Sequence, residues 1–283
     1  MNFYIVDCFA ESKYQGNQLA VFVPDFNITE KEMQQIANEM GFSETTFILS
    51  GKQSNGGYDV RIFTPDVEVP FAGHPTLGTA YVIHHIMEAR VTDKVILNLK
   101  VGQIPVIADG SRMTMFQNSP QFGENIPKEK VAEVLSILPE DIRDDYPVQW
   151  VSTGLEAIIV PLQTLDALQR CHVNHDKFHK FHQEYYKCNV LGFIRDGDGI
   201  RCRVFMDDPG FLEDPATGSA NGDLAGYLLK YNFFGTNSVQ YTVSQGSEMG
   251  RPSSLYIKAE CLDGSYQILV GGSAYVVAEG IWK

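Results

Sequence analysis

Residues 68–85 read EVPFAGHPTLGTAYVIHH, which predicts a polar loop followed by a helix that begins at His74-Pro75. Proline suits the first turn of a helix, because the N–H that it lacks would have no partner there. Gly73 lets a bound group approach the backbone closely. The N–H groups and the positive dipole of a helix start attract an anion such as a carboxylate. The stretch therefore predicts a carboxylate site with His74 at its rim.

The 283-residue chain is acidic, with 22 Lys and Arg against 35 Asp and Glu and a net charge of -13. This balance argues against nucleic acid and anionic membranes as partners, since basic surfaces bind both. The five cysteines are irregularly spaced, which favours reduced thiols in a cytoplasm over a disulfide framework. The N-terminus lacks the features of a signal peptide, and no apolar run reaches membrane-spanning length. We therefore expect a cytoplasmic protein.

An internal repeat relates the two halves of the chain. Similar segments recur in the same order 137 to 145 residues later: 20–24 with 157–161, 61–63 with 203–205, Gly73 with Gly218, and Ala80 with Ala225. The repeat predicts two similarly folded domains, residues 1–118 and 129–270. The polar residues 118–128 are expected to form a linker, and the last strand, 271–283, is expected to join the first domain.

The second copy of the helix start is EDPATGSA, residues 213–220, with Gly218 before a helix that begins at Ser219. If the two halves face each other, two helix starts would hold one small anion. His74, Asp214 and Ser219 would then surround the bound molecule. A structural alternative is that Ser219 or Thr217 simply caps the second helix.

Glu44 has no acidic partner in the repeat. Matching Phe47 with Phe193 places Val190 at the position of Glu44. The apolar neighbours Phe42 and Phe47 are expected to raise the pKa of Glu44 toward that of a general base. A base on one side only indicates a proton moved between two carbons on one face, whereas two opposed bases would indicate inversion. The alternative is an exposed glutamate at a strand edge.

Three segments together resemble the signatures of the PhzF-like family, related to phenazine biosynthesis: FSETTF (42–47), FTPDVEVPFAGHPTLGTA (63–80) and EDPATGSA. The resemblance covers essentially the whole chain. It implies an α+β fold of the diaminopimelate epimerase type, with two pseudo-symmetric domains. Each would be a mostly antiparallel sheet or barrel around a central helix, with the active site in the interdomain cleft. The epimerase carries a reactive cysteine in each half, but the corresponding loops here hold none, so two-thiol racemisation is disfavoured.

The resemblance further implies a homodimeric isomerase of a small carboxylate-bearing substrate, working without metal or organic cofactor. The family's phenazine enzyme isomerises trans-2,3-dihydro-3-hydroxyanthranilate. The residues matching its catalytic groups are Glu44, His74, Asp214 and Ser219, and the backbone at Gly73 and Gly218 would hold the substrate carboxylate. Asn17 and Asp7 are further candidates for substrate binding, from their positions in the first half. Two rival functions stay open: an epimerase or racemase of a small amino or hydroxy acid, and a non-catalytic carboxylate-binding protein.

Four histidines, His172, His175, His179 and His182, are predicted to lie along one face of a helix over residues 165–186. A transition-metal site is one interpretation. The helical spacing places four ligands too far apart for one ion, so a solvated polar face is favoured.

Overall fold

The structure is a computed structural model that describes residues 1–24, 27–89, 92–208 and 210–283. It divides into two compact units, Met1–Phe116 with Gly271–Lys283, and Gln117–Val270. Among the described residues, no helix is long and apolar enough to cross a membrane.

The described residues form seventeen strands and six α-helices. The strands are β1 (Asn2–Cys8), β2 (Asn17–Val23), β3 (Thr45–Ile48), β4 (Tyr58–Phe63), β5 (Glu68–Val69), β6 (Lys94–Leu99), β7 (Gly102–Asp109), β8 (Arg112–Phe116), β9 (Gln121–Asn125), β10 (Gln149–Ser152), β11 (Glu156–Pro161), β12 (Asn189–Asp196), β13 (Gly199–Phe205), β14 (Glu213–Asp214), β15 (Ser238–Gln245), β16 (Ser253–Leu262) and β17 (Ser265–Ile281). The helices are α1 (Glu30–Met40), α2 (Gly73–Val82), α3 (Lys128–Leu135), α4 (Leu165–Arg170), α5 (His175–Glu184) and α6 (Gly218–Lys230). A π-helical turn, Ile83–Met87, extends α2.

The first unit is a closed barrel of eight strands around α2. Strands β1, β2, β3, β4, β6, β7, β8 and β17 pair in that order, and β17 pairs back with β1. Nine of the ten residues of α2 are buried, and the helix packs against six of the barrel strands. Gly78 permits this packing, because a Cβ there would lie 2.5 Å from the Cys8 sulfur.

The second unit repeats the strand pairing of the first. Its pairings alternate between antiparallel and parallel: β10–β11 antiparallel, β11–β12 parallel, β12–β13 antiparallel, β13–β15 parallel and β15–β16 antiparallel. The same sequence of pairings connects β1, β2, β3, β4, β6 and β7. Helix α6 takes the place of α2 and packs against β10, β11 and β16. The structure therefore confirms the α+β class and the repeat of one fold in both halves.

An arginine–glutamate ion pair at equivalent positions leads into the central helix of each unit. Arg61 on β4 donates to Glu68 on β5, and Arg203 on β13 donates to Glu213 on β14 through two bonds of 2.8 and 2.7 Å. Each pair fixes the short strand that precedes the helix. Arg203 also donates to three backbone carbonyls at the end of α4, those of Leu168, Gln169 and Cys171.

Three details differ from the sequence-based expectations. Residues 118–128, the predicted linker, contain strand β9, which pairs with β10. The predicted helix over 165–186 is two helices, since Asn174 caps α5 by accepting from the Lys177 N–H. His172 therefore lies between α4 and α5 and not on the face of α5.

The strand register also corrects the alignment around Glu44. When Arg61 and Arg203 are matched, the pairing with the following strand places Asn189 at the position of Glu44. When Ala20 and Ala157 are matched, the pairing with the preceding strand places Cys188 there. Neither register gives Val190, because inter-strand hydrogen bonds and similar side chains define equivalence differently. Asn189 and Cys188 carry no carboxylate, so the acidic residue still occurs in one unit only.

We predict that Arg203→Leu lowers the free energy of unfolding by about 3 kcal/mol or more, because it leaves the partly buried Glu213 carboxylate and three carbonyls without the arginine donor. The matched change Arg61→Leu should cost about 1 kcal/mol. The Arg61 side chain is 23% exposed against 9% for Arg203, and Glu68 keeps Lys100 as a partner. Urea unfolding of both variants measures the difference, and equal losses would contradict this account.

Candidate active site

Glu44 lies directly before β3, where the chain enters the barrel after the left-handed Gly41 that ends α1. Its side chain is 19% exposed, but its Oε2 atom is buried and makes no hydrogen bond with the described residues. Burial raises the pKa of Glu44 from 4.5 to about 7, although a hydrogen bond from Ser43 acts in the opposite direction. The predicted rise in the pKa is confirmed, and a carboxyl group with this pKa can both accept and donate a proton near neutral pH.

His74 lies next to this carboxyl group. Its Nε2 atom is 3.4 Å from Glu44 Oε2, and its Nδ1 atom is 3.1 Å from the Asn17 side-chain nitrogen. An amide NH2 group only donates hydrogen bonds, so the Nδ1 atom of His74 accepts a hydrogen bond from Asn17. The neutral imidazole then carries its own proton on Nε2, on the side of Glu44. Asn17 is thus hydrogen-bonded to His74, and the other ring nitrogen of His74 faces the Glu44 carboxyl group at 3.4 Å.

The start of α2 lies beside these residues. Ala72 is the N-cap, and among the described residues no side chain makes a capping hydrogen bond to the helix. The positive end of the helix dipole, at Gly73 and His74, attracts anions. The geometry places this helix start and the titratable Glu44 side by side, and carboxylate binding there stays a prediction.

Asp7 lies at the end of β1 and is buried. Its Oδ2 accepts a hydrogen bond of 2.6 Å from the Tyr14 N–H, so the carboxylate fixes the loop that connects β1 to β2. Asn17, also buried, bonds to His74. The structure gives both residues partners within the protein, and their proposed contact with substrate stays a prediction.

The second unit holds Asp214 and Ser219, both buried near the start of α6. Asp214 ends β14, and its Oδ2 accepts a hydrogen bond of 2.5 Å from the Thr217 hydroxyl. Thr217 stands at the N-cap of α6 but makes no capping hydrogen bond, because its hydroxyl is directed to Asp214. Of the two caps that the sequence offers, Thr217 thus holds the N-cap position without a capping bond, and Ser219 lies within the first turn. Reasoning from the sequence missed Gln245, whose side chain bonds to Thr217 and to the Asp214 carbonyl.

The predicted histidine face is directed at one carboxylate. His175, His179 and His182 of α5 place their Nδ1 atoms 3.4, 3.9 and 3.1 Å from Asp207. In the part of the chain that the structure describes, no group of His, Cys, Asp and Glu has the arrangement to hold a metal ion. These residues are therefore best described as a polar contact between α5 and the segment after β13.

Comparison with known proteins identifies the class. Residues 6–280 match the family model described as phenazine biosynthesis-like protein, and the chain belongs to this family, PhzC-PhzF. It is 35% identical over 265 residues to the trans-2,3-dihydro-3-hydroxyanthranilate isomerase of Pseudomonas fluorescens, covering 92% of this chain and 90% of the relative. Further curated relatives are also named isomerases. The protein is therefore an isomerase.

Solved structures confirm the fold. A Bacillus anthracis phenazine biosynthesis protein of the PhzF family superposes with a TM-score of 0.89 at 26% identity, covering 99% of this chain and 98% of the other. A hydroxyproline epimerase from Agrobacterium vitis gives a TM-score of 0.65 at 11% identity, covering 99% and 90%, and so shares the fold alone. The predicted family and the diaminopimelate epimerase type of fold are both confirmed.

We predict that Glu44 makes the folded protein less stable as the pH rises. Its pKa is higher in the folded chain than in the unfolded one, so its contribution is fully present below pH 4.5 and is lost as the pH rises through about 7. Glu44→Gln should match the wild type near pH 4.5 and exceed it by about 3 kcal/mol at pH 8. Chemical unfolding across this range measures the effect. The exposed Glu39→Gln on α1 is the control, and parallel pH curves for wild type and Glu44→Gln would contradict the assignment.

Proposed function

We propose that this isomerase shifts a proton between two carbons of a small carboxylate-bearing metabolite without a cofactor, with Glu44 as general acid and base. The observation that carries the proposal is the half-buried Glu44, with a pKa of about 7, next to His74 and the uncapped start of α2. A single group with this pKa can remove a proton and return it in one catalytic cycle.

In the proposed reaction, ionised Glu44 takes a proton from a carbon next to the substrate carboxylate or next to a double bond conjugated with it. The C–H bond breaks, its electron pair moves into the conjugated system, and an O–H bond forms on Glu44. Protonated Glu44 then returns the proton to another carbon on the same face. The net change is a moved double bond, with no oxidant or co-reactant required.

The start of α2 would bind the carboxylate into which negative charge spreads during the reaction. Backbone N–H groups at Gly73 and the helix dipole stabilise this charge without having to reorganise. The Nε2 proton of His74 would orient a polar substituent of the substrate or the Glu44 carboxylate itself. Asn17 would keep His74 in the required tautomer.

Asp214, Ser219 and the backbone at Gly218 are proposed to bind the substrate's polar groups in the same reaction, and Asp7 is proposed to do so with Asn17. The support is the match of their segments to the family signatures and, for Asp214 and Ser219, their position at the start of α6. The homodimer and the cytoplasmic location also stay predictions, which sedimentation and cell fractionation can test.

We predict that Glu44→Gln lowers kcat by about 10³-fold while substrate binding is retained, because Gln keeps the size of the side chain but cannot take up the proton. Turnover in deuterated water, starting with trans-2,3-dihydro-3-hydroxyanthranilate and then a library of small carboxylates, measures this by mass spectrometry and NMR. Glu39→Gln, on the exposed side of α1, is the control and should leave kcat unchanged.

The same experiment separates the rival functions. Deuterium that enters with inversion at a single carbon would indicate an epimerase or racemase. Binding that survives Glu44→Gln, together with no turnover of any bound carboxylate by the wild type, would indicate a binding protein. Unchanged turnover in Glu44→Gln would remove Glu44 from the mechanism.

We further predict that kcat/KM rises with pH up to about 7 and then levels off, since the free enzyme must hold Glu44 ionised before it can accept a proton. Below the pKa, log kcat/KM should fall with a slope of about one per pH unit. Initial rates from pH 5 to 9 give the profile. An activity that is constant from pH 5 to 7 would not fit a base with this pKa.

A further inference from the structure

A buried glutamine organises the start of α6 in the second unit. Gln245, at the end of β15, is 1% exposed. Its side-chain nitrogen donates to the Asp214 carbonyl at 2.7 Å and to the Thr217 hydroxyl at 3.1 Å. Its side-chain oxygen accepts from the Thr217 N–H at 3.2 Å and from the Asn221 amide at 3.0 Å. One side chain therefore connects the end of β14, the N-cap of α6 and the first turn of the helix.

The rest of this network leaves no amide proton unused. The second proton of the Asn221 amide goes to the Thr217 carbonyl at 2.9 Å. The Cys202 sulfur lies 3.6 Å from the Gln245 oxygen and 3.7 Å from the Asn221 oxygen. Burial raises the pKa of Cys202, so the thiol keeps its proton and donates. A buried polar network with every member satisfied is rigid, because any rearrangement leaves a polar group unpaired.

The first unit shows that the fold itself does not require this network. The shared strand pairing and helix starts align Gln245 with Leu99, Asp214 with Val69, Thr217 with Ala72, Cys202 with Val60 and Asn221 with Thr76. Four of these five counterparts are apolar. The fifth is Thr76, whose hydroxyl donates to the N-cap carbonyl, a bond that Asn221 also makes.

Burying polar groups costs free energy unless every hydrogen bond is made, so apolar residues are the simpler choice at these positions. The second unit instead has a connected set of polar residues, and the set ends at one carboxylate. The Thr217 hydroxyl accepts from Gln245, so its only proton is available for Asp214 Oδ2. The orientation of the Asp214 carboxylate thus depends on Gln245 through Thr217.

We infer that Gln245 is a positioning residue of the isomerase, which holds the Asp214 carboxylate and the first turn of α6 in the orientation that binds substrate. The inference rests on the proposed function, in which Asp214 contacts the substrate. Gln245 itself is buried and acts only through Thr217 and Asp214.

The test compares two variants. Gln245→Leu introduces the residue type of Leu99, which aligns with Gln245 in the first unit, and Gln245→Glu keeps the size and shape of the side chain. Gln240→Leu is the matched control, since Gln240 is exposed on the same strand. In Gln245→Leu, kcat should fall about 10- to 100-fold, the effect of a small misplacement of a binding group. Hydrogen exchange followed by mass spectrometry should show faster exchange at residues 214–221, with the remaining peptides of the second unit unchanged. The control should match the wild type in both measurements.

Gln245→Glu adds a readout that a purely structural role would not change. An ionised glutamate cannot donate to the Asp214 carbonyl, but a protonated one can. The ratio of its kcat to that of the wild type should therefore rise as the pH is lowered from 8 to 5.5. A ratio that does not change with pH would overturn the role assigned to the donated hydrogen bond.

Two further results would overturn the inference: unchanged kcat in Gln245→Leu, or faster exchange throughout the second unit, which indicates general destabilisation. If the wild type turns over none of the carboxylates, the proposed function fails separately. Hydrogen exchange in Gln245→Leu then tests the role of Gln245. Unchanged protection of residues 214–221 overturns the inference, and a loss of protection confined to these residues supports it.

Discussion

The central helix of each unit is buried along nearly its whole length, and this burial determines what can surround it. Nine of ten residues of α2 and twelve of thirteen of α6 are buried. A helix enclosed in this way needs close contacts on every side, and Gly78 illustrates the requirement where α2 meets Cys8. Only the ends of such a helix can offer unbonded backbone groups. In each unit the start of the central helix, at Gly73 in α2 and at Gly218 in α6, has no side-chain cap among the described residues.

The acidic residue of the first unit depends on the same packing. Glu44 enters the barrel between α1 and β3, where its carboxyl group is partly buried and its pKa rises. His74 is placed beside it by the first turn of α2, and Asn17 fixes the ring from the start of β2. Three segments distant in sequence thus bring Asn17, His74 and Glu44 together, while burial alone raises the pKa of Glu44.

The two copies of the fold keep their architecture in common and differ in polarity at a few positions. Both have the arginine–glutamate pair that fixes the strand before the helix. Only the first has a carboxylate before its third strand, and only the second has the network from Gln245 to Asp214. These differences concentrate at the starts of the central helices. If these positions served folding alone, apolar residues would be favoured there, because buried polar groups cost free energy. The polar groups that are present in one unit and absent from the other are therefore the best guide to function.

The sequence by itself determined the repeat, the α+β class, the family and the set of candidate residues. These follow from local signals: proline and glycine at a helix start, matched segments in both halves, and three signature motifs. Only the tertiary structure decided the strand register around Glu44, the strand at 121–125, the division of the helix over 165–186, and the partners of His74 and Gln245. These features depend on hydrogen bonds between residues far apart in the chain, such as Asn17 with His74 and Gln245 with Asp214. A sequence read along its length carries no direct record of such bonds, because each partner alone is an ordinary polar residue.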